Sequence, residues 1–143
     1  MQSSTWILVA GSSKARLFVM ERDRSLTEIK DFLNPDGRGR EPARDRPPRT
    51  HDRFGDARHA IELHTSAEEK SDHVFARELE AVLERGRVDH RYRDLVLIAP
   101  PRFLGALKAA LGEHVRTSVV AELSKDLTDA DTTEILGHLP VRH

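Results

Sequence analysis

The sequence predicts a single α/β domain in which helices flank one mixed five-stranded sheet. Two uninterrupted apolar runs, at residues 5–10 and 94–99, have the length and composition of strands that are buried on both faces. Amphipathic stretches with helical spacing occur in the second half of the chain. The 143 residues are the usual size of one domain, so we assign residues 1–143 to one unit.

Three strands are predicted before any long helix. The run at residues 5–10 stops at Gly11-Ser12-Ser13, a second apolar run covers residues 15–21, and a third covers residues 26–33. Short polar turns separate these runs, and strands joined by short turns pair in antiparallel fashion. The first third of the sequence therefore indicates a three-stranded antiparallel meander.

A long polar segment from about residue 34 to residue 58 is predicted to be a loop. It contains four prolines, three glycines and no apolar periodicity. It contains seven arginines and five carboxylates, which leaves a surplus of two positive charges. Loops longer than about 15 residues are uncommon in compact domains unless they are functional or disordered. The sequence therefore leaves two interpretations of this segment, a solvated insertion and a binding loop.

Helices and strands alternate after this segment. Residues 60–65 alternate apolar and polar side chains, which predicts a short strand or extended arm. Ser66 and Glu69 have capping-box spacing and predict the start of a helix that ends at Gly86. The remaining predicted elements are a strand at 94–99, a helix from Pro101 to Gly112, a strand at 115–123 and a short helix capped by Thr128.

The resulting order is βββ, loop, α, β, α, β, α. Helix-linked strands become parallel neighbours through right-handed crossovers, so the meander and the later strands fit one mixed sheet. This order of elements indicates a ribonuclease-H-like topology.

Composition excludes several classes of site and suggests a location. Cysteine is absent, which excludes disulfides, thiolate catalysis and cysteine-based zinc sites. The formal net charge is -1, so the chain as a whole is not drawn to nucleic acid or an anionic membrane. No export signal or bilayer-spanning stretch is evident, and we expect a cytoplasmic protein without a membrane partner.

The turn Gly11-Ser12-Ser13-Lys14 has two interpretations. Glycine and small residues can expose backbone N–H groups to an anion, with Lys14 as a cationic contact. A phosphate-binding loop, however, has a G-x-x-x-x-G-K-[ST] spacing followed by a helix, and this sequence has neither. The hairpin-turn interpretation is favoured.

Catalytic and metal-binding patterns are weak. The eight histidines include His51, His59, His64 and His73, but none has the spacing of a known metal motif. The first strand has no acid, which argues against a two-metal nuclease, and no G-x-S-x-G is present. We therefore predict no cofactor, no metal and no catalytic residue.

The polar segment carries the strongest candidate site. Guanidinium groups alternate there with carboxylates, giving either internal ion pairs or a surface that contacts phosphates, with Phe54 as a stacking group. The predicted nucleic-acid- or anion-binding residues are Arg44, Arg46, Arg49, Arg53, Arg58, His59 and Lys14.

Several short motifs in order resemble one family. They are Trp6-Ile7-Leu8-Val9-Ala10, Arg44-Asp45-Arg46-Pro47, Phe75-Ala76-Arg77-Glu78-Leu79, Leu97-Ile98-Ala99-Pro100-Pro101 and Leu123-Ser124-Lys125-Asp126-Leu127-Thr128. Over nearly its whole length the chain resembles the bacterial host attachment family, "protein required for attachment to host cells", which is similar to the central domain of archaeal and eukaryotic release factors. The resemblance implies a ribonuclease-H-like domain and a ribosome or RNA partner. The Gly-Gly-Gln of release factors is absent, so peptidyl-tRNA hydrolysis is not implied.

Three functions are therefore considered. The leading one is a non-enzymatic binding module that contacts RNA or a ribosomal surface through the arginines of the polar segment. The alternatives are a hydrolase that acts on a phosphate or ester substrate through His59 and nearby carboxylates, and a protein-interaction factor in surface attachment.

Overall fold

The computed structural model describes the backbone of residues 4–38 and 54–140, and the side chains of residues 4–37 and 66–140. The described strands form one mixed five-stranded sheet in the order β3-β2-β1-β4-β5. Their bounds are β1 Thr5–Ala10, β2 Lys14–Met20, β3 Leu26–Leu33, β4 Asp94–Ala99 and β5 Val119–Ser124. The predicted fold class, an α/β domain with one mixed five-stranded sheet and flanking helices, is confirmed.

Strand pairing follows from the lengths of the connections. β1 pairs with β2 and β2 with β3 in antiparallel fashion, because only short turns join them. β1 pairs with β4, and β4 with β5, in parallel, because helices provide the crossovers. In the β1–β2 turn the Gly11 backbone N–H donates to the Lys14 carbonyl over 2.9 Å, so the favoured hairpin interpretation is correct.

Helices cover the two faces of the sheet unequally. Their bounds are α1 Pro35–Arg38, α2 Phe54–Val88, α3 Pro101–Ala110, α4 Glu113–Ser118 and α5 Thr132–His138. Side chains of α2, α3 and α4 pack in one core with alternate residues of β1, β2 and β4, including Leu8, Leu17 and Leu97. On the other face, Ile135 of α5 packs against Ile7 and Phe18.

The long helix α2 begins earlier than predicted. Residues 60–65 are helical, so the expected strand or arm is wrong, and Ser66 lies inside the helix rather than at its start. After Pro48 the chain contains no further proline before the helix begins, and residues 57–70 contain three Ala and three Glu, which favour helix. These propensities outweigh the local alternation of Ile61 and Leu63.

The predicted loop at residues 34–58 also differs at both ends. Residues 35–38 form the short helix α1, and residues 54–58 are the first turns of α2. Residues 39–53, between these helices, lie outside the part of the chain that is described.

Two predicted boundaries near the C-terminal end are wrong. The expected strand at 115–123 begins only at Val119, because residues 113–118 form α4 and bury Val115 as a helical side chain. The last helix is capped by Asp131 and not by Thr128: the Glu134 backbone N–H donates to the Asp131 carboxylate over 2.9 Å.

Candidate functional site

Four strand ends meet at one edge of the sheet. β1, β4 and β5 are parallel, and β3, two strands away from β1 through antiparallel pairs, points in the same direction. We call the end of the sheet where these four strands finish the carboxyl edge. Ligands of open α/β sheets bind outside the carboxyl ends of the strands, so this edge is where a site is sought first.

Asn34 ties three elements together at the carboxyl edge. Its buried side-chain amide donates to the Ser12 carbonyl over 2.8 Å and to the Ser71 hydroxyl of α2 over 3.0 Å. Its backbone N–H donates to the Ser13 carbonyl over 2.8 Å. The end of β3, the β1–β2 turn and the middle of α2 are thereby held in one arrangement.

Helix α1 packs directly on the β1–β2 turn. A Cβ atom placed on Gly37 would lie 2.2 Å from the Ser12 carbonyl oxygen, a distance that no side chain can adopt against backbone. Gly37 therefore allows α1 to approach the turn closely. Since α1 ends at Arg38, the arginine-rich segment leaves the described structure at the carboxyl edge.

Helix α2 extends well past this edge. Its 35 residues correspond to about 52 Å of helix. Gly86, near its end, packs on the ring of Trp6 at the start of β1, whereas Ser71 lies at the carboxyl edge. The 17 helical residues that precede Ser71, from Phe54 to Lys70, therefore add about 25 Å of helix beyond the sheet.

A charged cluster joins α2 to α3 at the same edge. Arg102 donates to the Glu68 carboxylate over 3.0 Å, and its Nε lies 3.2 Å from Oδ2 of Asp72, which is only 2% exposed. The hydrogen bond to Glu68 raises the pKa of the Arg102 guanidinium above its ordinary value. The start of α3 is thus fixed against α2 by one cation shared between two carboxylates.

Arg16 fastens the β5–α5 connection to the sheet. Its NH1 group donates to the carbonyls of Ala130, over 2.6 Å, and Thr128, over 3.2 Å. Its Nε and NH2 groups donate to both carboxylate oxygens of Glu28, over 3.3 and 3.0 Å. These bonds use four of the five N–H donors of the guanidinium, so Arg16 has a structural role.

The predicted site residues fall into three groups. Lys14 lies at the carboxyl edge, where its ammonium group pairs with the Asp129 carboxylate. Arg58 and His59 lie on α2, roughly 20 Å of helix before Ser71, and only their backbone is described. The other four, Arg44, Arg46, Arg49 and Arg53, lie outside the described residues. The structure therefore does not bring these residues into one observed cluster.

Sequence reasoning missed the residues that organise the edge: Asn34, Ser71, Asp72 and Arg102. Asn34 precedes a proline, a turn signal that pointed to a boundary but not to its partners. Within the described side chains, no group of three or more His, Asp or Glu residues could hold a metal ion. No described helix is long and apolar enough to span a bilayer.

Known proteins provide three comparisons. No curated protein sequence matches the chain significantly. A similar solved structure is the type II variant of the Ppx/GppA phosphatase of Aquifex aeolicus, at 14% identity and a TM-score of 0.37. The similarity covers 85% of this chain and 35% of the phosphatase chain, so this chain spans about a third of the phosphatase.

One family model matches almost the whole sequence. It is described as "Protein required for attachment to host cells", and the match runs over residues 6–139, from the start of β1 to the end of α5. The matched region contains the whole sheet and the carboxyl edge. The chain therefore belongs to the family of proteins required for attachment to host cells.

Proposed function

We propose that this host attachment family protein is a non-enzymatic RNA-binding module that contacts RNA, or a ribosomal surface, through the arginines of the polar segment at residues 34–58. One observation carries the proposal. The arginine-rich segment begins at the carboxyl edge, where α1 ends, and leads into a helix that extends about 25 Å past this edge. The topology thus attaches the segment at the end of the sheet where ligand sites of such folds occur.

The charges of the described edge support this assignment. Lys14, Arg16 and Arg102 each pair with carboxylates of the same chain, so these three cations are already partly neutralised. The seven arginines at residues 34–58 exceed the five acids there. Guanidinium groups bind phosphates in bidentate fashion and stack on bases, so these arginines are the better candidates for contact with RNA.

The family resemblance supports the same partner. The chain belongs to the host attachment family, and the resemblance of that family to the central domain of release factors implies a partner on the ribosome. The chain lacks the Gly-Gly-Gln of release factors. We therefore propose association with RNA or the ribosome without hydrolysis of peptidyl-tRNA.

Equilibrium binding to structured RNA and cosedimentation with ribosomes test this proposal. The chain in which Arg44, Arg46, Arg49, Arg53 and Arg58 are replaced by Ala is expected to lose at least tenfold in affinity. The matched control replaces five exposed arginines elsewhere, Arg22, Arg77, Arg85, Arg91 and Arg93, and so loses the same charge. The control is expected to bind nearly as the parent chain does.

Two results would contradict the proposal. One is no measurable binding of the parent chain to RNA or ribosomes at about 50 mM salt, where phosphate contacts are strongest. The other is an equal loss of affinity in both variants, which would show that net charge alone, and not the segment, attracts the RNA.

A further inference from the structure

A second site lies at the opposite end of the sheet from the carboxyl edge. A pocket of about 330 Å³ opens on the face covered by α5, near the start of β1, β4 and β5. Its apolar lining consists of Met20, Val96, Val120, Ala121, Leu139 and Pro140. This volume is at the small end of the range for ligand pockets, which suits a ligand of about the size of an amino acid.

The polar lining of this pocket carries both signs of charge. Arg24, Asp94 and the hydroxyl-bearing Thr5 are its remaining lining residues. Among the described side chains, neither Arg24 nor Asp94 takes part in an ion pair, with each other or with a neighbour. A cation and an anion are therefore both available to a ligand in one small pocket.

The backbone holds Arg24 in an unfavourable conformation. Its φ of 71° lies in the left-handed region, where glycine and asparagine are found more readily than arginine. The turn around it is well fixed: the Arg24 N–H donates to the Glu21 carbonyl over 2.9 Å, and the Ser25 N–H donates to the Asp23 carboxylate over 3.0 Å. The hairpin turn requires the left-handed conformation at this position but not an arginine, and a contact made by the guanidinium would offset the cost of that conformation.

We propose that this pocket binds a small apolar α-amino acid. Its carboxylate pairs with Arg24, its ammonium group with Asp94, and its side chain fills the apolar lining. A purely apolar ligand would leave both charges unmatched, and a simple monocarboxylate would be repelled by Asp94 while it is attracted by Arg24. A zwitterion with an apolar side chain matches both charges and the lining.

Titration calorimetry with L-leucine tests the proposal, with two analogues as comparison. The analogue 4-methylpentanoate lacks the ammonium group, and 3-methylbutylamine lacks the carboxylate. Leucine is expected to bind saturably and at least tenfold more tightly than either analogue. No saturable binding of leucine, or equal binding of an analogue, would overturn the assignment.

Two variants separate binding from folding. Arg24→Gly removes the guanidinium and relieves the backbone strain, so its thermal stability should equal or exceed that of the parent chain while leucine affinity falls at least tenfold. Asp94→Asn should weaken leucine but strengthen 4-methylpentanoate, because the repulsive carboxylate is gone. Arg22→Ala, in the same turn but outside the pocket lining, is the matched control and should bind normally. Unchanged leucine affinity in Arg24→Gly would overturn the proposal.

Discussion

Gly86 is the residue on which the packing of Trp6 depends. A Cβ atom at position 86 would lie 2.5 Å from Cη2 of the Trp6 ring, closer than packed atoms approach. The same ring lies 4.7 Å, centroid to centroid, from that of Tyr92. The indole is therefore packed between Gly86 of α2 and Tyr92 in the chain that follows α2.

Gly86→Ala is expected to destabilise the protein by about 1–3 kcal/mol, because the extra methyl group forces the Trp6 ring out of its position. Urea denaturation followed by the fluorescence of the single tryptophan measures this. Gly105→Ala in α3 is the matched control, since a Cβ atom there has no neighbour within 4 Å. That control should gain about 0.5–1 kcal/mol from the better helix propensity of alanine. A loss in Gly105→Ala as large as in Gly86→Ala would contradict the steric explanation.

Tyr92 makes the stability of the folded state depend on pH in the alkaline range. Burial raises the pKa of its phenol from 10.0 to about 12, and its hydroxyl donates to the Leu83 carbonyl over 2.8 Å. The folded state holds the phenolic proton more tightly than the unfolded state does. The stability contributed by this group is therefore fully present below pH 10 and is lost as the pH rises from 10 to about 12.

Tyr92→Phe is expected to remove this component of the pH dependence. The urea midpoints of the parent chain and the variant are compared from pH 10 to about 12. The effect of lysine titration on stability is common to both chains and cancels in the difference. The chain has one tyrosine, so tyrosinate absorbance reports the same pKa directly. A folded protein whose tyrosine titrates near pH 10 would contradict the burial argument.

At the scale of elements, two cations of β2 contact the β5–α5 connection but differ in how exposed their contacts are. Arg16 joins β2 and β3 to the β5–α5 connection, and its side chain is 20% exposed. Lys14, two residues away, pairs with Asp129, whose side chain is 84% exposed. Exposed ion pairs contribute about 0–1 kcal/mol, whereas hydrogen bonds from a charged, partly buried group contribute more.

Arg16→Met is therefore expected to lower the free energy of unfolding by about 1.5–3 kcal/mol, because two carbonyl groups and Glu28 lose their donor. Lys14→Met is the matched control and should cost less than about 1 kcal/mol. Urea denaturation of both variants gives the comparison. Equal effects would show that Arg16 does not hold the β5–α5 connection.

The five strands of the sheet could be predicted from the sequence, whereas the start of α2 and the presence of α4 could not. The buried runs at β1 and β4 are unambiguous because no polar residue interrupts their centres. Ser66 was wrongly predicted to begin α2, because the capping-box spacing of Ser66 and Glu69 can also occur inside a helix. The helix α4 was hidden because its one buried residue, Val115, is close in sequence to the apolar residues of β5.

The candidate sites were still harder to predict, because they depend on contacts between distant residues. Asn34 meets Ser12 and Ser71 across 22 and 37 residues. Such pairings follow from the packing of α2 on the sheet and leave no local pattern. The pocket near Arg24 is similar, since β4, β5 and the residues that follow α5 contribute to it from the second half of the chain.

For the whole molecule, the sheet separates two regions of different character. The arginine-rich segment is attached at the carboxyl edge, whereas the pocket proposed for an amino acid lies at the opposite end of the strands. The sheet face that α3 and α4 also cover carries the long helix α2, which joins the core to the region beyond the carboxyl edge. RNA binding and amino-acid binding can therefore be tested independently, because the variants for one leave the other site intact.

The salt dependence of RNA binding tests the central proposal most directly. The slope of log affinity against log salt is negative, and it becomes shallower by roughly 0.7 (single strands) to 0.9 (duplex) for each phosphate contact that is lost. The chain lacking Arg44, Arg46, Arg49, Arg53 and Arg58 should therefore show a clearly shallower slope than the parent chain. The control lacking five exposed arginines elsewhere should keep the parental slope. Identical slopes for the parent chain and the segment variant would contradict the proposal that these arginines contact RNA.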